Sequence, residues 1–169
     1  MNQIKCRVML TGGGSGGPTT PLLGLVGTLQ EKDDVLCEFL FLGSRNGPEE
    51  AMVEESGIPF LTIPSGKLRR YWDWQNLRDP FFVLAGFIVG FYHLLRFRPD
   101  IVVSAGSFVS VPVAFAAFLL RIPHLILQMD VRPGLANRLM TPFSAGAVCY
   151  FENSMHAFKS VPLLQMVGP

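Results

Sequence analysis

The amino-acid sequence predicts an α/β domain: a doubly wound, mainly parallel sheet of about seven strands with helices on both faces. Three observations carry this expectation. Short continuous apolar runs alternate with longer helical ones from one end of the chain to the other. The short runs are apolar on both faces, as strands are when helices cover a parallel sheet on both sides. The first run also empties into a glycine-dense turn ahead of a helix, the strand, loop and helix order of a Rossmann-like unit.

The expected strands are Lys5–Leu10, Leu36–Leu42, Phe60–Ile63, Asp100–Ser104, His124–Gln128, Ala145–Tyr150 and Leu163–Val167. Each is four to eight residues of mostly apolar side chains, the length and composition of a buried strand. Helices are expected at Pro21–Glu31, Pro48–Ser56, Pro80–Phe97, Val111–Leu120 and Gly134–Thr141. Pro48-Glu49-Glu50 is a good helix start, because proline needs no amide partner there and carboxylates suit the positive end of the helix dipole. Pro80 opens the aromatic helix in the same way. Ligands of such sheets sit outside the carboxyl ends of the strands. The loops at that end begin at Thr11, Gly43, Pro64, Ala105, Met129 and Phe151. The segment from Ser65 to Asp79 does not fit the alternation.

The chain has 169 residues, 49% of them hydrophobic and 16% charged. An average soluble domain carries roughly 25% charged residues, so the apolar excess needs a buried sheet, a partner or a membrane as its destination. A formal charge of +1 and the lack of a basic run with interleaved aromatics exclude a nucleic-acid partner. Cys6, Cys37 and Cys149 are too few and too scattered for a disulfide framework and read as small buried hydrophobes. No signal peptide precedes the glycine turn, which makes the cytoplasm the expected compartment. Ile101–Leu120 is uncharged and long enough to cross a bilayer, but Ser104, Gly106, Ser107, Ser110 and Pro112 make it strand, loop and helix instead. Phe81–Leu95 is short for a span and contains His93.

Five of the six residues from Gly12 to Gly17 are glycine. Without Cβ atoms the main-chain amides can approach an anion or a sugar, and the following helix adds its positive dipole end. The spacing Gly12-x-Gly14-x-x-Gly17 formally matches the dinucleotide fingerprint, yet the second strand ends in Phe41-Leu42-Gly43-Ser44 with no acid for a ribose diol. A Rossmann oxidoreductase is thereby disfavoured. Pro18 after Gly17 also rules out a nucleotide-hydrolysing P-loop. With no His/Cys/Asp cluster at ligand spacing, no metal and no cofactor are expected.

Gly13-Gly14-Ser15-Gly16-Gly17, Ile58-Pro59, Ser104-Ala105-Gly106-Ser107-Phe108-Val109-Ser110-Val111-Pro112 and Asp130-Val131-Arg132-Pro133-Gly134-Leu135-Ala136-Asn137 occur in the order of one family. They resemble the N-terminal domain of MurG-type glycosyltransferases, over essentially the whole chain. The resemblance implies transfer of N-acetylglucosamine from UDP-N-acetylglucosamine to the lipid-linked muramyl-peptide precursor of peptidoglycan, with inversion. It also implies a peripheral position on the cytoplasmic face of the plasma membrane. The chain would be one domain, residues 1–169, ending at a Val167-Gly168-Pro169 boundary similar to the family's Gly-Asn-Pro. The donor-binding domain would then be supplied in cis or by a separate chain; a non-catalytic subunit of a split enzyme is the alternative.

Carried over by motif, the resemblance implies donor contacts at Ser15, Gly16, Gly17 and Asp130, and acceptor contacts at Gly13, Gly14, Phe108, Ser110 and Gln128. Ser15 stands where the family has threonine and keeps a hydroxyl, whereas Pro18 replaces a histidine and removes a titratable group. Asp130 stands at a family asparagine and becomes the candidate base; it could equally cap the helix opening at Pro133-Gly134. Phe108 lacks the phenol of the family tyrosine. Ser110 is read both as an acceptor contact and as a cap for the helix from Val111. His93 and His124 read as packing residues, and His156 falls in a poorly patterned tail. Lys67, Arg69 and Arg70 precede Trp72, Trp74, Phe81 and Phe82, a basic and aromatic set suited to a membrane surface.

Overall fold

The computed structural model describes residues 3–14, 16–45, 47–64 and 79–168. The expected contacts Ser15, Lys67, Arg69, Arg70, Trp72 and Trp74 lie outside the described residues. The elements run β1 (Ile4–Thr11), α1 (Gly16–Gln30), β2 (Val35–Ser44), α2 (Glu49–Glu55), β3 (Phe60–Ile63), α3 (Asp79–Phe97), β4 (Ile101–Ser104), α4 (Ser110–Leu119) and β5 (His124–Gln128). They continue with α5 (Leu135–Met140), a 3₁₀ turn at Thr141–Phe143, β6 (Gly146–Cys149), α6 (Glu152–Met155), a 3₁₀ turn at His156–Phe158 and β7 (Leu163–Met166).

All strand pairs are parallel, in the order β3-β2-β1-β4-β5-β6-β7. The chain builds outward from β1 to β3, then crosses back and lays β4 on the free side of β1. That reversal opens a crevice at the carboxyl ends of β1 and β4. Alternate side chains of the central strands feed two cores. Met9, Leu40, Leu42 and Val102 pack with Leu94 of α3 and Val113, Ala116 and Ala117 of α4. Val8, Leu10, Phe39, Phe41 and Val103 pack with Leu22 and Val26 of α1 and Val53 of α2. A third cluster, with Ile126, Ala147, Cys149, Phe158 and Val161, closes the β5–β6 side.

Three expectations need correction. The first helix starts at Gly16 rather than Pro21. Pro18 sits in its first turn, where an amide has no intrahelical partner, so proline there costs no hydrogen bond. Pro21 lies inside the helix and forgoes only its bond to the Gly17 carbonyl. Second, Cys6 and Cys37 are register partners on β1 and β2 with a Cα–Cα distance of 4.7 Å, and their sulfurs are joined in a disulfide. They are half-buried, and only Cys149 is the buried free thiol the sequence suggests. Third, α6 and its 3₁₀ extension occupy the stretch read as a patternless tail, too short to show a helical period.

Ile101–Leu120 folds as β4, a turn and α4. Among the described residues no helix is long and apolar enough to cross a membrane. Helix α3 nevertheless leaves Phe81, Leu84, Ile88, Tyr92 and Leu95 exposed, three or four residues apart, so one whole stripe of it faces outward.

Candidate functional site

The crevice is walled by the turns after β1, β4 and β5. In the first, Gly13 and Gly14 adopt φ of 152° and 80°, conformations that favour glycine. Two of the turn's amides point into the protein. Gly12 N–H donates to the Leu42 carbonyl at 3.4 Å, and Gly14 N–H donates to Glu49 Oε1 at 3.1 Å. The bare main chain is therefore only partly open to a ligand, and the amides of Gly16 and Gly17 head α1, where helix geometry provides no acceptor.

The second wall is the turn Ala105–Val109. Gly106 has φ of 96° and Ser107, which has a Cβ, is held at 77°. A non-glycine residue in that region is strained and persists where its surroundings impose it. Ser107 Oγ lies 4.0 Å from the place a Gly14 Cβ would occupy, so the two turns face each other across the switch point. Phe108 is half-buried beside them. Ser110 is fully buried: its hydroxyl donates to the Gly106 carbonyl at 2.7 Å and lies 3.4 Å from Thr11 Oγ1. It is the first residue of α4 and ties β1, the turn and the helix together instead of standing before the helix as a cap.

The third wall follows β5. Gln128 is 1% exposed and donates through Nε2 to the Asp130 carbonyl at 2.8 Å. Its Oε1 accepts from Asn137 Nδ2 at 2.6 Å. Asn137 Oδ1 is buried without a hydrogen-bond partner among the described residues and lies 3.5 Å from a Cβ built on Gly106. The Asp130 side chain is exposed. It does not cap the next helix, which opens from Gly134 with no side-chain cap.

Beneath β4 and β5, His124 is fully buried between Ser104 Oγ (2.8 Å from Nε2) and Ser144 Oγ (2.9 Å from Nδ1). The Ser144 hydroxyl donates to the Met140 carbonyl at 2.8 Å, so Nδ1 carries the ring proton and Ser104 donates to Nε2. Burial holds this imidazole down at a pKa of about 3, which makes it a neutral core group.

Beside the glycine turn, over the ends of β2 and β3, lies a hollow of about 510 Å³. Gly14, Ser44, Arg45, Thr62, Pro64 and Phe82 line it. Asp130 is not among its described walls, so the structure brings Gly14 and Phe82 to one cavity and leaves Asp130 on the other side of the turn.

The profile of the glycosyltransferase family 28 N-terminal domain matches residues 8–148, which contain all three walls. The chain belongs to this family. A UDP-N-acetylglucosamine–N-acetylmuramyl-(pentapeptide) pyrophosphoryl-undecaprenol N-acetylglucosamine transferase of Bacillus cereus is 39% identical over 148 residues, 88% of this chain and 41% of that protein. The Clostridium botulinum enzyme of the same description is 42% identical over 155 residues, 92% of this chain and 42% of its own length. The chain thus spans about two fifths of the length of these curated relatives. Among solved structures, Acinetobacter baumannii MurG superposes with a TM-score of 0.74 at 24% identity, over 88% of this chain and 42% of that one. A Listeria monocytogenes protein described as a putative UDP-N-acetylglucosamine 2-epimerase gives 0.68 at 14% identity, over 94% of this chain and 42% of that one. Both show the same fold.

For a family 28 domain, the residues that sequence reasoning passed over are Glu49, Ser107, Asn137 and Arg45. Glu49 was legible only as an acid at a helix start. Ser107 and Asn137 lie inside quoted motifs, but φ and burial, which set them apart, have no one-dimensional signature.

Proposed function

We propose that this chain is the acceptor-side domain of an inverting N-acetylglucosaminyltransferase that acts on a lipid-linked muramyl peptide at a membrane surface. The reading rests on the chain's family and on one observation: a single hollow is lined both by Gly14 of the glycine turn and by the exposed Phe82 of α3. In the reaction an acceptor hydroxyl attacks the anomeric carbon of UDP-N-acetylglucosamine, the glycosidic bond forms, and the bond to UDP breaks. The hydroxyl proton must pass to a base and the departing diphosphate must be met by dipoles. Asp130, an exposed carboxylate at the mouth of β5, is the base in this scheme. The first-turn amides of α1, those of Gly16 and Gly17, face the diphosphate of the donor.

The diphosphate end of the acceptor occupies the hollow between Gly14 and Phe82, with the Arg45 guanidinium on its rim, and its sugar reaches past the glycine turn to the side where Asp130 stands. Phe81, Phe82, Leu84 and Ile88 enter the headgroup boundary, which places the lipid-borne substrate beside the hollow. The protein is then peripheral, on the cytoplasmic face of the plasma membrane. The UDP moiety is held by a donor-binding domain, in the same chain or another.

Calorimetric titration of the chain with a short-chain lipid-linked muramyl pentapeptide tests the acceptor assignment. Saturable binding that Arg45→Ala weakens supports it, and no heat at millimolar ligand overturns it. With the donor-binding half of the Clostridium botulinum relative added, label should pass from UDP-N-acetylglucosamine to the lipid. Near-normal turnover by Asp130→Asn in that pair would remove the base from the scheme.

A further inference from the structure

Glu49 opens α2 and is completely buried, an unusual place for a carboxylate. Removing a charged group from water is costly unless donors surround it. Here three donors converge on one oxygen: Gly14 N–H at 3.1 Å, Ser44 N–H at 3.0 Å and the Ser44 hydroxyl. The other oxygen, Oε2, has no hydrogen-bond partner among the described residues. The surrounding backbone leaves room for this carboxylate and little else, because a Cβ on Gly13 or Gly47 would run into its oxygens. Two glycines from separate loops therefore enclose one acid. The acid joins the turn after β1 to the last residue of β2.

We propose that Glu49 is a positioning residue of the crevice, which pins the Gly12–Gly14 turn with its amide inward and so assigns anion contact to the first turn of α1. The argument rests on the anion-binding reading given above for Gly16 and Gly17, and adds what fixes it. With its amide given to Glu49, Gly14 has no donor left for a phosphate, while the dipole of α1 favours one at its amino end. Released from Glu49, Gly14 would be free to rotate its amide, and the glycines around it have little side-chain restraint to hold the turn.

The test uses the ¹⁵N-labelled chain, following amide exchange at Gly14 and shifts at Gly16 and Gly17 on titration with inorganic pyrophosphate. Glu49→Ala should accelerate Gly14 exchange by about tenfold, the effect of losing one buried hydrogen bond, and bring the Gly14 amide among those that pyrophosphate shifts. Glu49→Gln keeps a side-chain carbonyl for Gly14 and should restore its exchange to within about threefold of the parent, with its amide again unshifted by pyrophosphate. Val161→Ala, in the distant β6 cluster, serves as a control that loses stability without touching the turn. Glu49→Asp, which withdraws the carboxylate by one methylene, replaces the alanine variant if that does not fold, with the same direction expected. Gly14 exchange no faster in Glu49→Ala, or in Glu49→Asp where that stands in for it, than in a control of matched thermal stability overturns the proposal. If the parent chain shows no pyrophosphate shifts at α1, the anion reading falls, and the Gly14 exchange comparison still decides the role of Glu49.

Discussion

Lowering the pH from 7.5 to 5.0 should destabilise this domain through His124. In the unfolded chain the imidazole takes up a proton near its ordinary value of 6.5, whereas burial delays uptake in the folded protein to a pKa of about 3. Between those values the unfolded state binds the extra proton, so stability falls as the pH falls. The contribution is fully present above pH 6.5 and declines by about 1.4 kcal/mol for each pH unit below it. At pH 5.0 the loss is therefore about 2 kcal/mol, a large share of a typical domain's margin. Both ring nitrogens are engaged by serine hydroxyls and only Nε2 accepts, so protonation would also set an Nε2–H donor against the Ser104 hydroxyl hydrogen. Urea unfolding of the parent and of His124→Gln at pH 7.5 and 5.0 isolates the effect. His93, whose pKa is lowered by burial and by the nearby Arg96 charge, is common to both proteins and cancels. An equal loss of stability in the two proteins would refute the argument, as would a His124 resonance that titrates near 6.5 while the chain stays folded.

Other substitutions probe the packing and the surface. Gly86 of α3 lies against the Pro64 carbonyl with no room for a Cβ, so Gly86→Ala should cost about 1–3 kcal/mol in urea unfolding despite its better helix propensity. Asn137→Leu strips Gln128 Oε1 of its donor and should lower stability by about 1–3 kcal/mol, with faster amide exchange at Asp130 as the local signature. Phe81→Ser combined with Ile88→Ser removes side chains that are 74% and 59% exposed. The thermal midpoint should hold, and partition onto anionic vesicles should weaken by about tenfold or more if these groups enter the interface. Unchanged sedimentation with vesicles would detach α3 from any membrane role.

Much of the architecture could be read from the chain because its strands and helices differ in length and period. Phe60–Ile63 and His124–Gln128 are legible to the residue, since each is a short apolar run between turn residues. The start of α1 is not, because Pro21 reads as the proline that opens the helix, whereas Pro18 holds the first-turn place and Pro21 lies inside. Cys6 and Cys37 could not be paired without the β1–β2 register, which depends on how far each strand extends before its helix. The glycine turn was conspicuous, yet its amide directions depend on Glu49, thirty-five positions on from Gly14 in a different loop.

What the linear sequence determined by itself was the kind of site: glycines that free main-chain amides, apolar runs that demand a sheet covered on both faces, and an aromatic helix with more apolar surface than the core can take. These follow from steric and solvation properties each residue carries wherever it sits. Only the tertiary structure decided which amides remain for a ligand, which serine hydroxyls are spent on main-chain carbonyls, and that a buried acid stands behind the turn. Those outcomes depend on which donors and acceptors meet once strand order brings distant loops together, and a hydrogen bond is set by that meeting rather than by either partner alone.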